Sequence, residues 1–261
     1  MHPFINIFGL TLKSYNLFFF LGETIVVLGG TWLAVKRGLP FKRVFTILAV
    51  TALTSLIGAR LFHALVDLPV YQKDPSLLFN INFQGQAIYG GLIWAVIMVY
   101  LLSKLFRVNY WKLLDSTTPF LGLGLIFGRI GCFLAGCCFG KETDLSWGVS
   151  FPLFSPAHKL QLSQNISSFF QSNPVHPTQI YEMIAGLFIA LISIFILRKK
   201  FLDGTAILVA SIMYTVFRFF NYFFRVPPTT FSASEYFYPT LYVFIAVFLI
   251  VVLVYKLRKN K

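Results

Sequence analysis

Apolar runs long enough to cross a bilayer alternate along the chain with short polar connections. A crossing helix needs ~20 mostly apolar residues. Such runs fall at about 15–35, 45–66, 87–106, 113–135, 178–197, 205–224 and 237–257. The pattern predicts an all-α integral membrane protein of about seven transmembrane helices, a single polytopic domain over 1–261 with a longer loop at about 137–177. That loop carries Pro152, Pro156, Pro174 and Pro177 together with Trp147 and Phe151. Connections of this length are usually functional or disordered, and the aromatic content predicts a surface that dips into the membrane interface. The first run lacks a basic n-region of the usual kind and a small-residue cleavage site, so it reads as the first spanning helix. The fourth is rich in glycine, with Gly122, Gly124, Gly128 and Gly131, followed by Gly136. Two readings stay open there. The glycines allow close helix packing, or they thin the helix so that backbone can approach a ligand.

The polar positions set the orientation. Lys36, Arg37, Lys42 and Arg43 follow the first run, Lys104, Arg107 and Lys112 the third, and Arg198, Lys199 and Lys200 the fifth. Lys256, Arg258, Lys259 and Lys261 form the tail. The intervening loops hold only Lys73, then Lys141 and Lys159, before Arg225 at a helix end. Short basic loops stay in the cytoplasm, which predicts an external N-terminus and a cytoplasmic C-terminus. Composition agrees: the chain is 57% hydrophobic and 12% charged, against about 25% charged for a soluble domain. The net charge of +13 would raise the question of nucleic acid in a soluble protein. Its confinement to alternate loops is explained by membrane orientation, and no nucleic-acid partner is expected.

Four arginines break the apolar pattern in whole or part: Arg60, Arg129, Arg218 and Arg225. A charge within a span costs at least ~2.5 kcal/mol and is by default a functional-site hypothesis. Their helices all run outward in this topology, so the four share one outer depth. Snorkelling toward headgroups is the bland reading. The sharper one is an anion pocket, because the planar guanidinium fork suits phosphate, and a lipid headgroup is the phosphate available at that depth. Tyr15, Glu23, Tyr89 (followed by Gly90 and Gly91), His176, Gln179 and Glu182 reach the same level. Arg218, Tyr222 and Arg225 share a helix face by spacing, and Glu182 reads as a partner for one arginine. His176 precedes Pro177 at a helix start, where a cap or turn role is expected. His63 reads as a base or an interfacial residue. The cysteines Cys132, Cys137 and Cys138 are an odd set. Cys-x4-Cys-Cys without ligand-spaced histidines is a weak metal signal, and small packing residues are the default. No metal or cofactor is expected.

Two longer motifs carry a resemblance. Gly128-Arg129-Ile130-Gly131-Cys132 through Gly140, followed by Thr143-Asp144, Trp147-Gly148-Val149 and Phe151-Pro152, resembles the signature of the bacterial prolipoprotein diacylglyceryl transferases. So does His176-Pro177-Thr178-Gln179-Ile180-Tyr181-Glu182. Tyr15, Gly58-Ala59-Arg60, Gly90-Gly91-Leu92-Ile93, Arg218-Phe219 and Phe224-Arg225 follow in the same order, so the resemblance spans nearly the whole chain. It implies transfer of a diacylglyceryl group from phosphatidylglycerol to the lipobox cysteine thiol of a preprolipoprotein at the outer face of the bacterial inner membrane, with glycerol phosphate leaving. It assigns catalysis to Tyr15, Tyr89, Arg129, Glu182 and Arg218. Substrate binding falls to Arg60, Gly128, Gly131, Gly140, His176 and Arg225.

This chain departs from the family pattern at four positions. Tyr89 stands where the family usually has histidine, Cys132 where it has asparagine, and Cys137 and Tyr222 where it has acidic residues. A tyrosine, with a pKa near ~10, is a poorer base than histidine. A divergent transferase, a paralogue with another acceptor and an enzyme using its own thiols all fit these departures. A lipid or anion carrier with the same arginine pocket and an envelope thiol redox protein are the readings from other classes.

Overall fold

The computed structural model describes residues 3–7, 9–79, 88–164, 170–226 and 236–259. It begins with an antiparallel hairpin, β1 (Phe4–Ile7) and β2 (Leu10–Lys13), which pairs Phe4 with Lys13 and Ile7 with Leu10. The hairpin feeds directly into α1 (Ser14–Lys36). There follow α2 (Phe41–Val66), the short α3 (Leu68–Lys73), a 3-10 turn (Pro75–Leu78), α4 (Ile88–Leu105), α5 (Tyr110–Ala135), the short α6 (Pro156–Ser163), α7 (Thr178–Arg198), α8 (Thr205–Phe224) and α9 (Phe237–Lys259). Among the described residues, α1, α2, α5, α7, α8 and α9 are long and apolar enough to cross a membrane, and α4 is a shorter apolar helix. The protein is an all-α multi-pass membrane protein. The apolar pattern located every one of these helices to within a few residues, but it did not signal the hairpin or the three short helical pieces.

Two compact units divide the chain. One runs from Val27 to Thr117. In it Ala34, Leu39, Val44, Ile47, Leu48, Val99, Val108 and Leu113 form a buried cluster where α1, α2, α4 and α5 meet their connecting loops. Two basic loop residues tie that end together. Arg37 donates through Nη1 to the Lys112 carbonyl and the Ser116 hydroxyl, each at 3.1 Å. Arg43 donates to the Phe106 carbonyl at 3.2 Å. The loops after α1 and α4, both basic, therefore lie side by side. His63, on α2, engages the Tyr71 hydroxyl at 3.0 Å through Nδ1.

The other unit holds the start of α1, most of α5, the 137–177 loop, α7, α8 and α9. Its helices cross through glycine. A Cβ on Gly22 would stand 2.9 Å from the Gly124 carbonyl oxygen, and one on Gly122 would stand 2.8 Å from the Ala190 amide nitrogen and closer still to the Gly186 oxygen. Close packing is thus the role of these glycines. α5 does not break: it runs unbroken from Tyr110 past Pro119 to Ala135. It ends at Gly136, whose φ of +70° is open to glycine and strained for other residues.

The described parts of the 137–177 loop fold as a cap. Bridges join Glu142 and Val149 to Val175, and Pro152 to Gln171. Phe151, Ala157 and Val175 form a small core of its own, backed by Phe133, Phe139 and Val149. A reporter fused after Lys261 is expected to read cytoplasmic and one inserted near Gln164 external, because short basic loops are retained inside. The opposite result at either position would reverse the orientation.

Candidate active site

The cap, the end of α5, the start of α7 and the end of α8 converge on one carboxylate. Glu182 lies one turn into α7 and is 1% exposed. Arg129 of α5 meets its Oε2 through Nη2 at 2.7 Å. Arg218 of α8 meets Oε1 through Nη1 at 2.7 Å, and Arg225, at the end of α8, reaches the same oxygen at 3.2 Å. Tyr214 donates its hydroxyl to Oε2 and Asn221 its side-chain amide to Oε1, both at 3.2 Å. Arg218 also donates through Nη2 to the Tyr242 hydroxyl of α9 at 3.3 Å. This hydrogen-bonded set carries three positive charges against one negative.

The local sequence explains the convergence. Tyr214, Arg218 and Asn221 recur at helical spacing, so one stripe of α8 presents all three, and Arg225 follows four residues after Asn221. Arg225 itself has left the helix, with φ −92° and ψ 147°. Its backbone bridges Gly140 of the cap. Gly140 has no room for a side chain: a Cβ there would stand 2.5 Å from the Phe224 oxygen and 2.6 Å from the His176 Cβ. Its amide donates to the His176 carbonyl at 2.9 Å. At the start of α7, Thr178 donates its hydroxyl to the Cys138 carbonyl and Gln179 its amide to the Cys137 carbonyl, both at 2.7 Å. These bonds tie the end of α5 to the helix that carries Glu182.

The sequence-predicted residues sort by position. Arg129, Arg218, Arg225 and Glu182 meet. Gly128 faces open space, with nothing within 4 Å of a Cβ built on it. Gly131 is a packing position, where a Cβ would stand 3.0 Å from the Phe18 Cβ and 3.2 Å from the Tyr15 Cα. That contact brings the start of α1, with Tyr15, against α5. His176 holds the cap: its Nδ1 lies 3.2 Å from the Tyr181 hydroxyl and its ring packs on Phe224 at 5.0 Å. Desolvation lowers its pKa from the ordinary histidine value, which favours the neutral ring. Arg60 belongs to α2 in the other unit. Tyr89 falls in α4, and its side chain lies outside the described residues. Sequence reasoning missed Tyr214, Asn221 and Tyr242. The first two were within reach, standing four residues before and three after Arg218. Tyr242 comes from another helix, and no spacing rule points to it.

The prolipoprotein diacylglyceryl transferase family model matches residues 3–257. The chain belongs to this family. A phosphatidylglycerol–prolipoprotein diacylglyceryl transferase 2 of Clostridium perfringens is 30% identical over 262 residues, covering 98% of this chain and 94% of the relative. The corresponding enzyme of Clostridium tetani is 33% identical, covering 85% of this chain and 84% of its own length. That of Pseudomonas fluorescens SBW25 is 28% identical over 227 residues. The converged arginines and Glu182 therefore lie in a transferase scaffold.

Removing the negative partner from a buried ion cluster typically costs about 3–5 kcal/mol, because the remaining charges lose their compensation. Glu182→Gln keeps the shape and removes the charge, so it is expected to destabilise the detergent-solubilised protein by that order. An unchanged unfolding transition would mean that the arginines do not depend on the carboxylate.

Proposed function

We propose that this protein transfers the diacylglyceryl group of phosphatidylglycerol to the lipobox cysteine thiol of a preprolipoprotein at the outer face of the inner membrane, releasing glycerol phosphate. The observation that carries the reading is the charge of the Glu182 cluster. Three guanidinium groups share one carboxylate among apolar helices. Among the described residues the cluster holds more cations than carboxylates, and a lipid phosphate is the anion that a bilayer supplies. A Cβ on Gly128 would meet nothing within 4 Å outside its chain neighbours, so this side of α5 is open to an acyl chain of the lipid.

The chemistry asks for two things. The acceptor thiol must lose its proton to become a nucleophile. Its sulfur then attacks the glycerol carbon, the carbon–oxygen bond to phosphate breaks, and the leaving glycerol phosphate takes the electron pair. Arg129 and Arg218 meet the charge that grows on that phosphate, held at fixed positions by Glu182. Arg225, at the cap, assists binding, and Tyr15 closes the side of α5 facing α1. Gly131, Gly140 and His176 serve by holding the backbone in this arrangement.

Purified protein given labelled phosphatidylglycerol and a lipobox peptide is expected to release glycerol phosphate. Arg129→Lys keeps charge but loses the fork, and should cost about 100- to 1000-fold in turnover. Arg225→Ala should cost less, since its side chain is 23% exposed against 10% for Arg129 and solvent screens it better. Gly128→Leu should leave folding intact while filling the space for the lipid, and so should lower lipid affinity. Full turnover in both Arg129→Lys and Arg218→Lys would reduce the arginines to structural residues. Tight phosphatidylglycerol binding by a wild-type protein that never releases glycerol phosphate would favour a lipid carrier.

A further inference from the structure

Beside Arg129 lies a group that the anion pocket does not use. The sulfurs of Cys132, Cys137 and Cys138 all lie within 4.8 Å of one another. Cys132 is buried at the end of α5, and the other two are half-buried in the first residues of the cap. Consecutive side chains normally diverge, so this meeting needs a cause. Gly136 at φ +70° and Cys138 at φ +61° both turn the backbone into the left-handed region and fold it back over Cys132. A residue with a Cβ seldom adopts that conformation. The bonds from Thr178 and Gln179 to the carbonyls of Cys138 and Cys137 hold it there. Arg129 donates through Nη1 to the Cys132 sulfur at 3.8 Å while its Nη2 holds Glu182.

We propose that Cys132, Cys137 and Cys138 form a three-thiolate site for a thiophilic divalent cation of the zinc class, whose open fourth position takes the acceptor thiol. A metal–sulfur bond of ~2.3 Å in a tetrahedral or trigonal site puts the sulfurs ~3.8–4.0 Å apart. The cluster is therefore within about an ångström of closing on an ion. Soft thiolates select such ions over magnesium or calcium. Binding displaces the thiol protons to solvent. Three thiolates and a divalent cation leave one negative charge, which the Arg129 guanidinium on Cys132 offsets. Three protein ligands leave a fourth place for an exogenous ligand, the arrangement of zinc sites that do chemistry. A thiol entering that place would release its proton to solvent, as the three protein thiols do, and would be held as a thiolate nucleophile next to the arginine proposed to meet the phosphate. This last role rests on the transferase reading.

The test is cobalt(II) titration of the reduced, solubilised full-length protein. About one equivalent should produce a sulfur-to-cobalt charge-transfer band and intense tetrahedral bands, displaced by zinc. Each of Cys132→Ser, Cys137→Ser and Cys138→Ser should weaken binding by at least about 10-fold, the loss seen when even an outer partner of a metal ligand is removed. Adding a lipobox peptide should shift the band, while the same peptide with serine for cysteine should not. Absence of the band, or its persistence when all three cysteines are replaced, overturns the site. A band that the cysteine peptide leaves unmoved overturns the open thiol position. Glycerol phosphate release is measured separately. Release with no cobalt band sinks this inference alone, whereas a cobalt band with no release in the zinc-loaded protein sinks the transferase reading alone.

Discussion

Glu182 is the residue on which the rest of the site depends. A single carboxylate in apolar surroundings holds Arg129 and Arg218 at 2.7 Å and Arg225 at 3.2 Å. None of those cations would be stable among apolar helices without a fixed counter-charge. The arginines come from α5 and α8, and the carboxylate from α7, so one side chain locks three helices at one depth. On the proposed reading, the excess of positive charge among the described residues is what makes this ion cluster suited to receive an anion. A second carboxylate would neutralise more of it and make a sturdier bundle with less affinity for phosphate.

Holding that geometry needs close backbone contact as well as charge. Gly122 lets α5 approach α7, and Gly22 and Gly124 let α1 approach α5. Membrane helices gain little from burying apolar side chains against each other rather than against lipid, so small residues that permit close packing become the main device. At the end of the bundle the device changes. Gly140 permits a backbone contact with Phe224 and His176 that no other residue could make, and the cap then carries its own small core around Phe151. The cap thereby positions Arg225, which lies beyond the last helical turn of α8.

The helices were legible because a bilayer imposes one length and one composition on each of them. The arginines were legible because their cost is so large that a sequence does not carry them idly. Glu182 was read as the partner of one arginine and holds three; spacing along a helix cannot show how many neighbouring helices turn their cations inward. The cap was not legible as a folded unit, because its order comes from bridges between residues as distant as Glu142 and Val175 and from a local core too small to leave a periodic pattern. The hairpin at Phe4–Lys13 was missed for a related reason, its second strand being exposed on both faces. The cysteines were read as packing residues from a spacing that matches no metal motif. Two left-handed residues, one of them Cys138 itself, bring the sulfurs together, and backbone handedness at a non-glycine residue is invisible in sequence.

Arg129 ties these parts into one device. It bonds Glu182 through one terminal nitrogen and the Cys132 sulfur through the other. A guanidinium carries more N–H donors than those two contacts use, so a phosphate oxygen can be added without breaking the ion pair. The three demands on Arg129 then reinforce each other. The carboxylate takes one terminal nitrogen and the sulfur the other, and together they fix the plane of the group. A lysine would supply the charge but not the shared plane. On the proposed mechanism, the side chain that meets the departing phosphate is also the one that bonds the Cys132 sulfur. In the proposed displacement charge leaves the acceptor sulfur as it grows on the phosphate, and a cation fixed between the Cys132 sulfur and Glu182 stands beside both proposed sites without having to move.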